Sequence, residues 1–305
     1  MPGPGTDEDV APWLAGLGLP GLVDIHLHFL PESVQRKVWA FFDRAAREYG
    51  TEWPVHYRLP EAERLEILRR LNVITFAPLV YPHKPDMAAW LNDWVIGFAA
   101  RTPGAVPTAT LYPEPTAVSY VDEALRRGAR CVKVHVQVGA FDPRSSLLDK
   151  AWGLIADAGV PVVVHCGHGP VRGEFTGLNV FAEVLARHPR LVAVLAHGGM
   201  PELDLALDLA EHYPNVHLDT AMVGVSFNNS AALLPPDWVP RLAAGLGERI
   251  VFGSDFPSIP HPYAEQLAVI AGWAEADERL GRPFLRAVLH DNPLRLLGRG
   301  VSVDE

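Results

Sequence analysis

The order of apolar segments constrains the fold of this chain more than any other feature. Eight short segments rich in Val and Ile alternate with helical patterns along most of the sequence. Near-continuous apolar strands are typical of a parallel sheet that is covered by helices. The predicted strands are 21–28, 73–80, 105–112, 131–138, 160–166, 191–197, 215–220 and 249–255. Eight strands that alternate with eight helices predict a (β/α)8 TIM barrel.

The segments between the strands have helical periodicity. In 61–71, the residues Leu65, Leu68 and Leu71 share one face and charged residues lie opposite. Further helices are predicted at 84–101, 116–127, 145–158, 178–188, 202–212, 236–246 and 261–274. The alternative fold, a doubly wound open sheet, would place a Gly-rich turn after the first strand. That turn reads HLHFLPES and contains no glycine, which favours the barrel.

The predicted barrel domain covers 21–298, between an N-terminal extension (1–20) and a C-terminal tail (299–305). An insert at about 30–60 separates strand 1 from the first regular helix and contains a helix candidate at 33–50. Because it leaves the carboxyl end of strand 1, we expect the insert near the active-site mouth. A second interpretation is that its aromatic residues Trp39, Phe41 and Phe42 pack the insert onto the barrel; both can hold.

Composition excludes several classes of protein. The formal net charge is −10 over 305 residues, which argues against nucleic acid and anionic membranes as partners. The two cysteines, Cys131 and Cys166, indicate neither a disulfide framework nor a Cys-rich zinc module. The N-terminus lacks a secretory pattern, and no apolar run reaches about 18 residues. These features predict a soluble cytoplasmic protein that acts on a small molecule.

Ligand-type side chains occur where four of the predicted strands end. His26 and His28 lie two residues apart in strand 1 and therefore share a face. His165, His197 and Asp255 each follow a mostly apolar run. A barrel brings these strand ends to one rim, and imidazole with carboxylate ligands suits Zn²⁺, Fe²⁺, Mn²⁺ or Co²⁺. The alternative, separate core histidines and a helix-capping aspartate, explains such a concentration at strand ends poorly.

Five motifs resemble the amidohydrolase superfamily, in the branch with aminocarboxymuconate-semialdehyde decarboxylase, resorcylate-type decarboxylases and pyrone-dicarboxylate-type lactonases. They are VDIHLH, VVVHCGHG, LAHGG, VFGSDFP and HDNPLRLLG, within about residues 21–298. The resemblance implies that His26, His28, His165 and Asp255 bind one divalent metal, with Zn²⁺ expected first. It also implies that His197 orients or deprotonates the metal-bound water. Proteins of this kind are often homodimers.

Strand 4 and the loop after strand 5 supply the candidate substrate residues. Lys133 and His135 share the inward face of strand 4. In binuclear superfamily members a carboxylated lysine bridges two metals, but Lys133 lies short of the strand end, so we favour one metal with Lys133 or His135 near the substrate. An internal ion pair is the equal alternative for Lys133. His168 and Arg172 follow strand 5, where Arg172 can reach a substrate carboxylate.

Three functions remain open on sequence grounds. The leading hypothesis is hydrolysis of a small amide, lactone or ester, because a divalent metal lowers the pKa of bound water toward about 7. His197 would then accept the proton, and Asp255 could share this task. The rival is non-oxidative decarboxylation of an unsaturated or aromatic carboxylic acid at the same site. The third, a noncatalytic barrel that only binds, predicts damage at the ligand positions, and none is seen.

Overall fold

The computed structural model describes residues 2–298 of the 305, so the predicted tail 299–305 lies outside the described residues. Within the described range, each predicted strand is present, although most are shorter than predicted. The strands are β1 (Leu22–Leu27), β2 (Val73–Pro78), β3 (Thr108–Thr110), β4 (Cys131–His135), β5 (Val162–His165), β6 (Ala193–Leu195), β7 (Val216–Asp219) and β8 (Ile250–Val251).

The predicted helices are also present, together with shorter ones. The helices are α1 (Val10–Leu17), α2 (Glu32–Phe42), α3 (Ala45–Tyr49), α4 (Glu61–Arg70), α5 (Ala88–Arg101), α6 (Ala117–Arg126), α7 (Val136–Gly139), α8 (Ser146–Ala158), α9 (Leu178–Arg187), α10 (Leu203–His212), α11 (Trp238–Ala243), α12 (Tyr263–Ala276), α13 (Gly281–Arg286) and α14 (Asn292–Gly298). Within residues 2–298, none of these helices has the length and apolar character needed to cross a bilayer.

The chain divides into two compact units. Among the described residues, the first unit comprises 2–76 and 219–293, and the second comprises 77–218 and 294–298. In the second unit, β3 to β7 form a parallel sheet in chain order. The register of β4 and β5 places His135 level with His165 at the carboxyl ends of both strands.

In the first unit, β1 lies beside the segment that contains β8. Ile25 N donates to Phe252 O at 3.1 Å, and His28 N donates to Phe256 O at 2.6 Å. Every residue of β1 is buried. A strand that is covered on both faces must satisfy its polar side chains inside the protein, so the histidines of β1 need specific partners.

The insert forms two helices rather than the single helix predicted at 33–50. Helix α2 ends at Phe42, and α3 begins at Ala45. Between them, Asp43 accepts two hydrogen bonds from the guanidinium of Arg58, which anchors the break. The expectation that all three aromatic residues pack the insert is only partly confirmed. The Arg64 guanidinium of α4 lies 5.6 Å from the centroid of the Trp39 ring, whereas Phe42 stacks on Trp53 within the insert itself at 5.2 Å and Phe41 is 38% exposed.

Strand β4 is shorter than the predicted 131–138. It ends at His135, and residues 136–139 form the helical turn α7. The His135 ring caps this turn, since Nδ1 accepts a hydrogen bond from Val138 N at 3.3 Å. Gln137 therefore does not continue the inward face of the strand, and its amide donates to Val171 O at 2.6 Å. A side-chain cap thus ends a strand whose apolar pattern continues.

Asn292 lies inside a continuous helical segment and is not an N-cap. Its φ of −66° and ψ of −52° are helical, and the chain continues from α13 through a π-helical turn (Ala287–Asp291) into α14. A π-turn accommodates Pro293, which lacks the N–H of an ordinary helical residue. The Asn292 amide instead donates to Ile250 O at 2.8 Å and Gly247 O at 3.3 Å, which ties this helix to β8.

Candidate metal centre

Three of the predicted ligands converge in the first unit. His28 Nε2 lies 2.9 Å from Asp255 Oδ1, and His26 Nε2 lies 3.7 Å from the same oxygen. One ligand atom from each of the three residues falls within 4.8 Å of the others. His26 and His28 are 0% and 6% exposed. Two imidazole nitrogens and a carboxylate oxygen in a buried cluster are a donor set that fits a divalent transition metal.

A carboxylate behind His26 fixes the orientation of its ring. His26 Nδ1 lies 2.8 Å from Asp219 Oδ2, and both side chains are fully buried. A proton on Nδ1 that is donated to Asp219 leaves the lone pair on Nε2, the nitrogen that faces Asp255. A carboxylate in this position is a recurrent partner of metal-binding histidines and increases their basicity. Asp219 was not among the predicted site residues, although it ends β7 as the predicted ligands end their strands.

The backbone at Asp255 is strained. Its φ is +59°, a left-handed conformation that residues with a Cβ rarely adopt. Neighbouring hydrogen bonds hold it there, since Asp255 N donates to His26 O at 2.7 Å and Phe256 N donates to Ser254 Oγ at 3.1 Å. Such strain persists only where the surroundings over-determine it, and it concentrates at functional sites.

Asp24, near the start of β1, anchors this strand to the segment that precedes Asp255 and to Tyr263. Its Oδ1 accepts from His26 N at 3.0 Å and from Ser254 N at 3.2 Å. Its Oδ2 accepts from Ser254 Oγ at 2.5 Å and from Tyr263 Oη at 2.8 Å. Burial raises the pKa of Asp24 to about 7, since complete desolvation outweighs the four hydrogen bonds that favour the charged form.

The second unit gathers three more of the predicted histidines. The rings of His135 and His165 stack at 4.1 Å between centroids, and His197 meets His165 edge-on at 4.8 Å. His165 Nε2 lies 2.8 Å from Gly169 O, so this nitrogen carries the proton and Nδ1 has the lone pair. His197 is buried and has a φ of +56°, the same left-handed conformation as Asp255. Two candidate functional residues thus occupy strained backbone positions.

The remaining candidates in the second unit differ in their surroundings. Lys133 is fully buried in β4. His168 Nδ1 lies 2.9 Å from Thr176 Oγ1, and His168 N donates to Glu202 Oε2 at 3.0 Å. The loop after β5 is therefore held by side-chain contacts around His168. Arg172 is exposed in the same loop. The roles assigned to these residues in substrate binding stay predictions.

The sequence profile of the amidohydrolase family matches residues 23–299, which is most of the chain. The chain belongs to the amidohydrolase family. Its fold is similar to that of an uncharacterised TIM-barrel protein from Bordetella bronchiseptica, at 21% identity and a TM-score of 0.65, with 92% of this chain and 99% of that chain covered. The predicted (β/α)8 barrel class is thereby confirmed.

Two other solved structures with this fold have an assigned activity. A 5-carboxyvanillate decarboxylase from Sphingomonas paucimobilis is 13% identical, with a TM-score of 0.60 over 91% of this chain and 99% of that chain. A second one, from Novosphingobium aromaticivorans with bound manganese, is also 13% identical, with a TM-score of 0.56 and coverages of 91% and 97%. No curated protein sequence matches the chain. As a member of this divalent-metal-dependent family, the protein is an enzyme.

Gly253 gives a test of how closely the centre of this amidohydrolase is packed. A Cβ on Gly253 would lie 2.7 Å from the Cβ of His26 and 3.4 Å from the Cβ of Asp219. Neither atom is the end of a flexible chain, so Gly253→Ala must displace the His26–Asp219 pair. We expect a loss of about 1–3 kcal/mol in the free energy of unfolding, together with weaker metal binding. Urea denaturation and metal titration measure the two effects.

A matched glycine outside the centre serves as the control. Gly272 lies on the exposed side of α12, and a Cβ there meets nothing within 4 Å. We expect Gly272→Ala to stabilise the protein by about 0.5–1 kcal/mol, because alanine favours a helix interior over glycine. If Gly253→Ala were as stable as Gly272→Ala and bound metal normally, the tight packing around His26 would be refuted.

Proposed function

We propose that this amidohydrolase is a metal-dependent hydrolase that cleaves an amide, lactone or ester bond in a small molecule. The convergence of His26, His28 and Asp255 on one point, with Asp219 behind His26, carries the proposal. Burying a cluster of polar groups costs free energy, because each group loses its hydration and needs another interaction in its place. Binding of a cation would offset this loss of hydration, and it would explain why two imidazoles face one carboxylate.

His26 Nε2, His28 Nε2 and a carboxylate oxygen of Asp255 would hold the ion. A divalent cation there would polarise a substrate carbonyl and lower the pKa of water toward about 7. We propose Zn²⁺ as the ion, because nitrogen and oxygen ligands in a compact set suit it. Manganese is the competing ion, since it is present in the Novosphingobium decarboxylase. His165 as a further ligand stays a prediction of the sequence.

The side chains proposed to accept and deliver protons are assigned from their chemistry. Asp255 presents a partly accessible carboxylate beside His28 and can accept a proton from an attacking nucleophile. We keep the companion role for His197 as a prediction from the sequence, because imidazole is the side chain whose intrinsic pKa suits proton transfer near neutral pH. Asp219 keeps the His26 ring in one tautomer, so we give it a positioning role.

Decarboxylation of an aromatic or unsaturated acid is the second candidate. The two 5-carboxyvanillate decarboxylases with the same fold favour it. The same ligands would then hold a metal that binds oxygens of the substrate, and Asp255 or His197 would deliver the proton that replaces the carboxyl group.

A substrate panel in oxygen-18 water separates these functions. The purified protein, stripped of metal and reloaded with Zn²⁺ or Mn²⁺, is offered small lactones, esters, amides and aromatic carboxylic acids. Our proposal predicts turnover that requires metal and places one oxygen-18 atom in the product. Release of carbon dioxide with no oxygen-18 in the remaining product would overturn hydrolysis in favour of decarboxylation. Absence of any turnover by fully loaded protein would support the binding-protein hypothesis instead.

A further inference from the structure

A segment of the insert lies against the loop that carries Asp255. We call residues 53–57 the strap. Trp53 Nε1 donates to Ser258 O at 2.7 Å, and His56 N donates to Ile259 O at 2.8 Å. The Tyr57 ring packs on Phe256 at 4.8 Å between centroids. The strap therefore contacts the segment directly after Asp255 at three residues, Phe256, Ser258 and Ile259.

The Tyr57 hydroxyl connects the strap to two other parts of the first unit. It donates to Asp7 Oδ2, and it accepts from Tyr263 N at 2.6 Å. Asp7 Oδ1 also accepts from Ala264 N at 2.9 Å. Asp7 and Tyr57 thus satisfy two of the N–H groups that are exposed at the start of α12. Tyr57 is only 4% exposed, so its hydroxyl depends on these partners.

Side chains of helix α12 connect its capped start to Ser254, the residue before Asp255. Tyr263 Oη donates to Asp24 Oδ2, the oxygen that also accepts from Ser254 Oγ. Gln266 Nε2 donates to Ser254 O at 2.8 Å. The start of α12, which Asp7 and Tyr57 cap, is therefore connected to Ser254 directly through Gln266 and by way of Asp24 through Tyr263. Asp255 is held on one side through Ser254 and on the other through Phe256.

We propose that Tyr57 and Asp7 are positioning residues that hold Asp255 in its ligand conformation. The backbone of Asp255 is left-handed and must be stabilised from outside, and the contacts of Tyr57 reach the residues on both sides of it. The N-terminal segment, which the sequence marked only as an extension, then serves the metal centre. This inference rests on the proposed metal site at His26, His28 and Asp255.

Cobalt binding tests the proposal without an assay of activity. Tyr57→Phe keeps the ring against Phe256 and removes only the hydroxyl. We expect Co²⁺ affinity to fall by about 10-fold, the lower end of the effect of groups that support metal ligands, and the visible absorption of bound Co²⁺ to change. Tyr120→Phe is the matched control, because Tyr120 is also buried and its hydroxyl also exchanges hydrogen bonds with backbone groups of Tyr112.

The control separates positioning from a general loss of stability. Both tyrosine variants should lower the melting temperature, but only Tyr57→Phe should change the cobalt spectrum and affinity. If Tyr57→Phe bound Co²⁺ with wild-type affinity and spectrum, the positioning role would be refuted. Should Tyr57→Phe fail to fold, Asp7→Asn replaces it, since Asp7 lies nearer the surface; a smaller weakening in the same direction supports the proposal, and unchanged binding overturns it.

The His28→Ala variant distinguishes the two levels of inference. If His28→Ala abolishes Co²⁺ binding and the Tyr57 and Asp7 variants change nothing, the metal centre stands and the positioning role fails. If His28→Ala binds Co²⁺ as the wild type does, the proposed metal centre itself fails.

Discussion

Replacing His28 with alanine is expected to abolish stoichiometric metal binding and to lower turnover by at least about 1,000-fold. His28 Nε2 lies 2.9 Å from Asp255 Oδ1, nearer than His26 Nε2 at 3.7 Å, which supports the ligand role proposed for it. Losing a metal that polarises the substrate costs several kcal/mol in transition-state stabilisation, and each 1.36 kcal/mol is about tenfold in rate. Metal content by mass spectrometry and steady-state kinetics measure both effects.

The matched control for this variant is His212→Ala. His212 is an exposed histidine in the last turn of α10, with its ring against Tyr213. It should keep wild-type metal content and turnover. A His28→Ala enzyme with full metal content and ordinary kcat would show that the reaction does not depend on this cluster. If His28 is a ligand as proposed, addition of excess Zn²⁺ to His28→Ala should not restore activity, because the variant lacks one of the nitrogens that would hold the ion.

Asp219→Asn is expected to weaken metal affinity by about 10- to 100-fold, with a comparable fall in kcat/KM. The substitution keeps the shape of the side chain but removes the negative charge 2.8 Å from His26 Nδ1. The imidazole then loses the partner that fixes its tautomer and makes Nε2 more basic. Competition titration against a chelator gives the affinity of each variant.

A second carboxylate–imidazole pair provides the control for Asp219. Asp149 Oδ1 lies 3.0 Å from His188 Nε2, and this pair is partly exposed on helices α8 and the end of α9. Asp149→Asn removes the same charge from the same kind of pair and should leave metal affinity unchanged. Equal affinity for Asp219→Asn and Asp149→Asn would contradict the role given to Asp219.

The sequence predicted the elements because their patterns are local. The apolar runs of β4 and β5, and the periodicity of α4, depend only on neighbours in the chain. The predicted convergence of His26, His28 and Asp255 is also found, since residues two apart on a strand share a face and strand ends are set by the barrel. Asp219 was missed because its partner, His26, is 193 residues away and only the packed structure brings them together.

The remaining differences between the sequence-based prediction and the structure have both local and long-range causes. The Val-rich pattern of 131–138 continues past the true end of β4, where the His135 ring caps a helical turn instead. The break between α2 and α3 depends on Arg58, which lies 15 residues from Asp43. Gly253 has no local signal as a close-packing residue, since the atom it accommodates is on His26 in another strand. Contacts between residues far apart in the chain therefore decide the helix break and the packing at Gly253, whereas a local cap decides the end of β4.

A crystal structure of the metal-loaded enzyme, with anomalous scattering collected at the absorption edge of the metal, tests the central claim most directly. We predict an ion within about 2.0–2.2 Å of His26 Nε2 and His28 Nε2, with Asp255 as a further ligand. The hydrogen bond between His26 Nδ1 and Asp219 should remain in place. The same map tests whether His165 is a ligand. An ion bound elsewhere in fully active protein, with His26 and His28 making no bond to it, would contradict the assignment of the metal centre.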